Sequence, residues 1–261
     1  MKAIAVATLM IASCAACCDV EYAADTQSPS PVPILVELFT SEGCSSCPPA
    51  DALLQRMDGD QPSPGAQLIV LSEHVDYWDH EGWKDPYSSA QLTDRQSGYV
   101  RELGLSSAYT PQFIVDGVSE LKVTNPQQVN QAFQEAAATP KIPVSLSSVR
   151  VDANSPGILR AHLDANGASL KHNADIYIAV ALNHAESQVL KGENSGRRLT
   201  HVAVVLELVK IGKLEKTHTF NQDFQVKLQA GADPRNLRVV AFVQEPGSGK
   251  VIGAVSQEKI N

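Results

Sequence analysis

The chain has 261 residues, 43 % of them hydrophobic and 5 % aromatic, and a formal net charge of −8. That length exceeds what one small domain needs and is enough for two hydrophobic cores. The acidic balance and the lack of a basic stripe argue against nucleic acid and anionic membrane surfaces as partners.

Met1 to Cys14 has one early lysine, Lys2, and then a short apolar run ending in small residues. This is the pattern of an export signal and is too short to span a membrane. Residues 1–24 are expected to be a signal peptide, and 25–32 a linker of Thr, Gln, Ser and Pro. Two processing routes stay open. Ile11-Ala-Ser-Cys14 is similar to a bacterial lipobox, in which Cys14 carries a lipid anchor; cleavage near Ala23 or Ala24 instead leaves Cys44 and Cys47 as the mature cysteines. Both routes place the protein outside the cytosol, periplasmic or secreted, where disulfides persist.

Ile34 to Phe39 reads as an apolar strand interrupted only by Glu37, followed by a polar turn, Cys44-Ser-Ser-Cys47, and a helix from about Pro48 to Met57. Residues i and i+3 share one face of a helix, so both sulfurs can close a small disulfide ring. A thiolate at the helix N-terminus is stabilised by free N–H groups and the macrodipole, which makes Cys44 the expected nucleophile. Cys47 then resolves the mixed disulfide. Pro48 and Pro49 suit the first helical turn. A structural zinc site would need four ligands, and the seven histidines are scattered singly. Ser45 and Ser46 bring no cation to the thiolate, which points to a mild oxidant.

A second strand, Gln67 to Leu71, completes a strand–helix–strand unit with the cysteines at the carboxyl end of its first strand. The polar, aromatic stretch Ser72 to Pro86 is long for a loop, and loops of that length are usually functional. His74, Asp76, Trp78 and Asp79 are candidates for the rim of a substrate groove, with Trp78 and Trp83 as apolar contacts. The alternative is a loop packed by its own aromatics. Gln91 to Leu103 reads as a helix, Thr110-Pro111 leads into a strand closing at Asp116-Gly117, and Asn125 to Ala138 is an amphipathic helix with Val129, Ala132, Phe133 and Ala136 on one face. Thr139-Pro140 ends it and marks a domain boundary.

Beyond Ile142 helical periodicity disappears. Strand-like runs recur at 144–151, 158–163, 176–182, 202–209, 224–228, 237–243 and 251–255, the pattern of a β-sandwich. Asn183 to His201 is a long polar connection holding Glu193, Arg197, Arg198 and His201. It is read either as a cover for the redox site or partner contact, or as a solvated hairpin loop.

The order strand, Cys44-Ser-Ser-Cys47, helix, strand, helix, Thr110-Pro111, hairpin resembles thioredoxin-fold proteins over residues 33–138. The resemblance implies a cis Thr110-Pro111 bond facing the disulfide and aligning substrate backbone, and a proton-accepting role for Glu37 toward Cys47. The expected fold class is therefore an α/β thioredoxin-like domain over 33–139, followed by an all-β, sandwich-like domain over 140–261. The whole chain is similar to a family of secreted bacterial thioredoxin-like proteins with a C-terminal extension. Phe39 to Asp51, His74 to Asp79, Gly82 to Pro86, Tyr109 to Gln112 and Gly192 to Arg197 carry that similarity.

The function expected from these residues is thiol–disulfide exchange without a cofactor. The partners would be a protein or small thiol or disulfide substrate and a separate redox partner, with a membrane involved only through a lipid on Cys14. His74, Asp76, Trp78, Thr110 and Pro111 would contact substrate. A second class is copper handling, with Cys44, Cys47 and His74 as an S₂N set suited to soft copper. A third is a non-catalytic interaction protein built on the C-terminal strands. No phosphate-cradling loop, nucleophile elbow or zinc-protease His pair is present in the sequence.

Overall fold

A computed structural model describes residues 30–152 and 155–260. The export signal, the lipobox at Cys14 and most of the linker lie outside the described residues.

Strands β1 (Val32–Thr40) and β2 (Ala66–His74) run parallel, in register from Val32↔Ala66 to Thr40↔His74. Between them lies helix α1 (Pro48–Asp60), which starts on two prolines that cost no N–H there. It ends at Gln61 in the left-handed region, whose side chain both donates to and accepts from the backbone of Leu68 and so ties the helix end to β2. Helix α2 (Ala90–Glu102) is N-capped by Ser89, and α3 (Pro126–Ala138) by Asn125; each cap side chain accepts from backbone N–H groups of the first turn. The hairpin of β3 (Gln112–Val115) and β4 (Ser119–Leu121) pairs antiparallel to β1. Strand alternation gives β1 two buried faces. Ile34, Val36 and Leu38 pack with Ala50, Leu54 and Met57 of α1 and Phe133 of α3. On the other face Leu35 packs with Leu92 of α2, and Phe39 with Tyr99.

The remaining strands are β5 (Val144–Asp152), β6 (Ser155–Asn166), β7 (Ala174–Gln188), β8 (Arg198–Leu214), β9 (Thr219–Lys227), β10 (Leu237–Gln244) and β11 (Val251–Gln257). All seven apolar runs after Ile142 form strands. Their assembly overturns the expected fold class. The described residues are mostly β, 44 % in strands and 18 % in helices, and a thioredoxin-like α/β domain followed by a β domain does not describe them. One mixed sheet of eight strands has the order β11-β10-β7-β8-β2-β1-β3-β4, and β5-β6-β9 form a second sheet of three.

The joint is the parallel pairing of β2 with β8 at Ser72↔Val204. Beside it Ala203 takes a left-handed φ of 52° and is fully buried. This irregularity lets the 17-residue β8 serve two partners, β7 along its length and β2 at one point. The small sheet covers one face of the C-terminal strands through Leu159, Leu163, Ile176, Ile178 and Val239. Arg238 of β10 makes a bidentate pair with Asp58 of α1, at 2.7 and 2.8 Å.

The two ends of the sheet also meet at Gly117, with φ +70°, where an added Cβ would stand 1.8 Å from the Gly249 carbonyl oxygen. Only a residue without Cβ fits such an approach. Gly117→Ala is expected to cost more than about 2 kcal/mol. Urea denaturation checks this, and an unchanged midpoint would refute the contact.

Candidate functional site

Cys44 and Cys47 are disulfide-bonded with Cα atoms 5.5 Å apart. They sit past the carboxyl end of β1 in a turn closed by Cys44 N–H donating to Ser41 O and Cys47 N–H donating to Cys44 O, both 3.2 Å. Cys47 is the N-cap of α1 and accepts the Asp51 N–H, so Cys44 stands one turn ahead of the helix rather than within its first residues. Both cysteines are fully buried, whereas Ser45 and Ser46 between them are exposed. The Cys44 sulfur lies 3.3 Å from Ser46 Oγ.

Three other segments hold this turn. Trp78 packs on Gly43, where a Cβ would meet Trp78 Cβ at 3.0 Å, and its indole N–H donates to Thr110 Oγ1 at 2.8 Å. The Thr110–Pro111 peptide is cis, as expected from the sequence. Trp83 donates to Glu42 Oε2 at 2.8 Å. The third segment is the β7–β8 loop, residues 189–197. Glu193 Oε2 accepts the Ser45 N–H at 3.0 Å, and Asn194 Nδ2 donates to the carbonyls of Glu42 and Cys44, both at 2.9 Å. Asn194 is fully buried, and its Oδ1 accepts from Arg197 at 2.8 Å. The connection expected between Asn183 and His201 is shorter than that, because β7 extends to Gln188 and β8 begins at Arg198, and its remaining residues 189–197 cover the turn.

A buried polar cluster adjoins the turn. His74 Nδ1 is 2.7 Å from Asp85 Oδ2, and Asp85 also accepts the Glu42 N–H at 2.8 Å. Burial favours the neutral acid, but His74 and the N–H groups of Glu42 and Tyr87 outweigh it and hold the Asp85 carboxyl below its usual range. His201 of β8 lies between Glu42 Oε1 at 3.5 Å and Asp51 Oδ1 at 3.7 Å. Its ring meets that of His74 edge to face, with centroids 4.8 Å apart. Burial opposes its charge, yet the carboxylates of Asp51 and Glu42 prevail and raise its pKa to about 9. Thr40 donates to Asp51 at 2.9 Å, which completes a bridge from β1 through α1 to β8.

The sequence-derived candidates separate into two groups. Cys44 and Cys47 are linked to Thr110-Pro111 through Trp78, which packs on Gly43 next to Cys44 and donates to Thr110. His74 lies in the buried cluster and not on a groove rim, and Asp76 ties its loop to α2 by accepting from Thr93 Oγ1 at 2.6 Å. Glu37 is also elsewhere. It shares the face of Leu35 and Phe39, opposite the α1 face, and pairs with Arg95 Nε at 2.6 Å and Tyr99 OH at 2.6 Å. Serving Cys47 as a proton acceptor is therefore outside its reach. Among the described residues no group of three or more His, Cys, Asp or Glu is placed to hold a metal ion, and His74 is engaged by Asp85.

The sequence model of a family described as a protein of unknown function (DUF1223) matches residues 35–244. The chain belongs to this family. Its match spans both the cysteine turn and the β7–β8 loop, so the contact between them lies inside the family's own extent. A crystal structure of a protein from Agrobacterium tumefaciens is similar, with 26 % identity and a TM-score of 0.66, covering 87 % of this chain and 94 % of that one. A domain of the outer membrane lipoprotein Omp28 from Porphyromonas gingivalis is matched at 15 % identity and a TM-score of 0.28, covering 47 % of this chain and 89 % of that one. No curated protein matches the chain.

Glu42, Asp51, Asp85 and Asn194 were not singled out from sequence as site residues. Each falls inside one of the motifs Phe39–Asp51, Gly82–Pro86 and Gly192–Arg197, which was the available signal.

Proposed function

We propose that this DUF1223 chain is an exported thiol–disulfide oxidoreductase acting in the periplasm or outside the cell, with the Cys44–Cys47 pair as its redox centre. The observation that carries the reading is the paired Cys44 and Cys47 at the start of α1, with Trp78 packed on the adjoining Gly43 and hydrogen-bonded to Thr110 of the Thr110-Pro111 segment. A purely structural disulfide would not call for a neighbouring X-Pro segment and tryptophan, and spacing of three residues closes too small a loop to restrain the unfolded chain much.

In the oxidising direction a substrate thiolate attacks the Cys44 sulfur, the Cys44–Cys47 bond breaks, and Cys47 leaves as a thiolate with the electron pair. A second substrate thiolate attacks the mixed disulfide and releases Cys44. The substrate gains a disulfide and loses two electrons, the protein becomes a dithiol, and the two substrate protons end on the two cysteines. Thr110 and Pro111 align the substrate chain, and the exposed Tyr77 and Tyr109, both hydrogen-bonded to Gln96, flank them.

The test is the redox equilibrium of the mature protein in glutathione buffers, read by thiol alkylation and mass. A reversible two-electron transition is expected. Cys44→Ser is expected to abolish exchange, and Cys47→Ser to accumulate mixed disulfides through Cys44. Exchange that survives in both variants would refute the assignment.

A further inference from the structure

The β7–β8 loop is built to stay on the redox turn. Gly192, with φ +74°, approaches Trp83 and Glu81 so closely that a Cβ would stand 3.2 Å from Trp83 Cβ and 3.1 Å from the Glu81 carbonyl. The loop is closed on itself by Val189 N–H to Arg197 O at 3.0 Å and Gly196 N–H to Val189 O at 2.8 Å. From this frame Asn194 reaches into a fully buried position and Glu193 caps the exposed Ser45.

The groups taken up are all main-chain groups: the Ser45 N–H and the Glu42 and Cys44 carbonyls. Neither sulfur is exposed, so the turn or the loop upon it must move before any thiolate can line up with the S–S bond. Moving the loop leaves the Glu42 and Cys44 carbonyls, two buried acceptors, without their partner, which is costly where water is excluded, and frees the Ser45 N–H at the exposed rim. An extended polypeptide offers N–H donors and C=O acceptors that can replace the loop's contacts. A small thiol offers none in that arrangement.

We propose that Asn194 and Glu193 are specificity-determining residues. The loop occupies the main-chain groups of the redox turn that a polypeptide substrate takes over on displacing it, so Cys44–Cys47 exchanges faster with cysteines in polypeptides than with small thiols, which reach the same equilibrium more slowly. This rests on the thiol–disulfide reading above and adds the class of substrate.

The experiment measures the rate of Cys44–Cys47 reduction by dithiothreitol and by a reduced, unfolded two-cysteine polypeptide, in the wild type, Asn194→Asp, Glu193→Gln and Ser195→Ala. Asn194→Asp keeps the size of the side chain and removes both donated hydrogen bonds. It is expected to speed reduction by dithiothreitol about tenfold. The polypeptide rate should change far less, so that the preference for polypeptide falls. Glu193→Gln, at an exposed position that need not affect folding, should shift the same ratio in the same direction by a smaller factor. Ser195→Ala, whose hydroxyl contacts only Leu190 O within the loop, should leave both rates unchanged.

Unchanged rates in both Asn194→Asp and Glu193→Gln would overturn the proposal. Equal acceleration toward both reductants would also overturn it, since the loop would then gate without selecting. Failure of the exchange reading looks different. The wild-type disulfide would lie outside the range of glutathione buffers, while a phosphine reductant would still report the effect of Asn194→Asp on access.

Discussion

Replacing Arg95 with Met is expected to destabilise the protein by about 3–5 kcal/mol, because it takes the cation away from two buried acidic side chains, Glu37 and Glu73. Arg95 of α2 donates to Glu37 at 2.6 Å, to Tyr99 OH at 2.7 Å and to Gln244 at 3.1 Å, and lies 3.5 Å from Glu73. Its guanidinium also stands 5.0 Å from the Tyr99 ring centroid and 5.1 Å from that of Phe242. Glu37 and Glu73 are both fully buried, so one cation serves two acids. Burial, and then repulsion from Glu37, push the Glu73 carboxyl well above its ordinary value, against the pull of Arg95.

The sign of the pH dependence follows. The folded protein retains a proton on Glu73 that the unfolded chain releases near its ordinary value of 4.5. The associated stability is complete below that pH and is lost as pH rises through the folded value. Glu73→Gln stays neutral throughout, so it should be more stable than the wild type at pH 7, with the advantage vanishing toward pH 4. Denaturant midpoints at three pH values check both variants. A cost under about 1 kcal/mol for Arg95→Met would show that the pair is not buried as described.

The second large effect concerns His201 and runs over a different range. Its pKa is raised from 6.5 to about 9 in the folded protein. The stability it contributes is full below 6.5 and is lost as pH rises through 9, an amount of roughly 3 kcal/mol. The wild type should therefore lose about that much stability between pH 6 and pH 10 by chemical denaturation, and His201→Gln should lose much less. Superimposable pH profiles for the two proteins would mean that Glu42 and Asp51 do not hold an imidazolium. Because the bridge joins the residues flanking the cysteine turn to β8, the same titration should loosen the turn.

Much of this molecule was legible in its sequence, for local reasons. Apolar runs of period two and amphipathic runs of helical period placed the elements, and Pro48-Pro49 marked the start of α1 by their backbone chemistry, whereas the caps Ser89 and Asn125 are seen only in the structure. The Cys44–Cys47 pair also follows from a short segment, while the cis Thr110–Pro111 bond was implied by the family resemblance and not by the dipeptide itself. The connection after Asn183 was expected to be either a cover or a free loop, and it is a cover, through Asn194 rather than any of the charged residues first noted except Glu193.

What the sequence could not settle was partnership over distance. The run 202–209 announces a strand, but nothing in its alternation says that Val204 pairs with Ser72, more than 100 positions earlier, and that pairing puts strands from both expected regions into one eight-stranded sheet. Glu37 was identifiable as an acid in an apolar strand, yet whether its face carries α1 or α2 is decided by the crossover of the whole chain. The result removes it from the cysteines and gives it to Arg95. His201 and Asn194 reach the cysteine turn for the same reason. Sequence fixes which groups a segment can offer, while the cost of leaving buried polar groups unpaired selects partners only once the sheet has brought distant segments together.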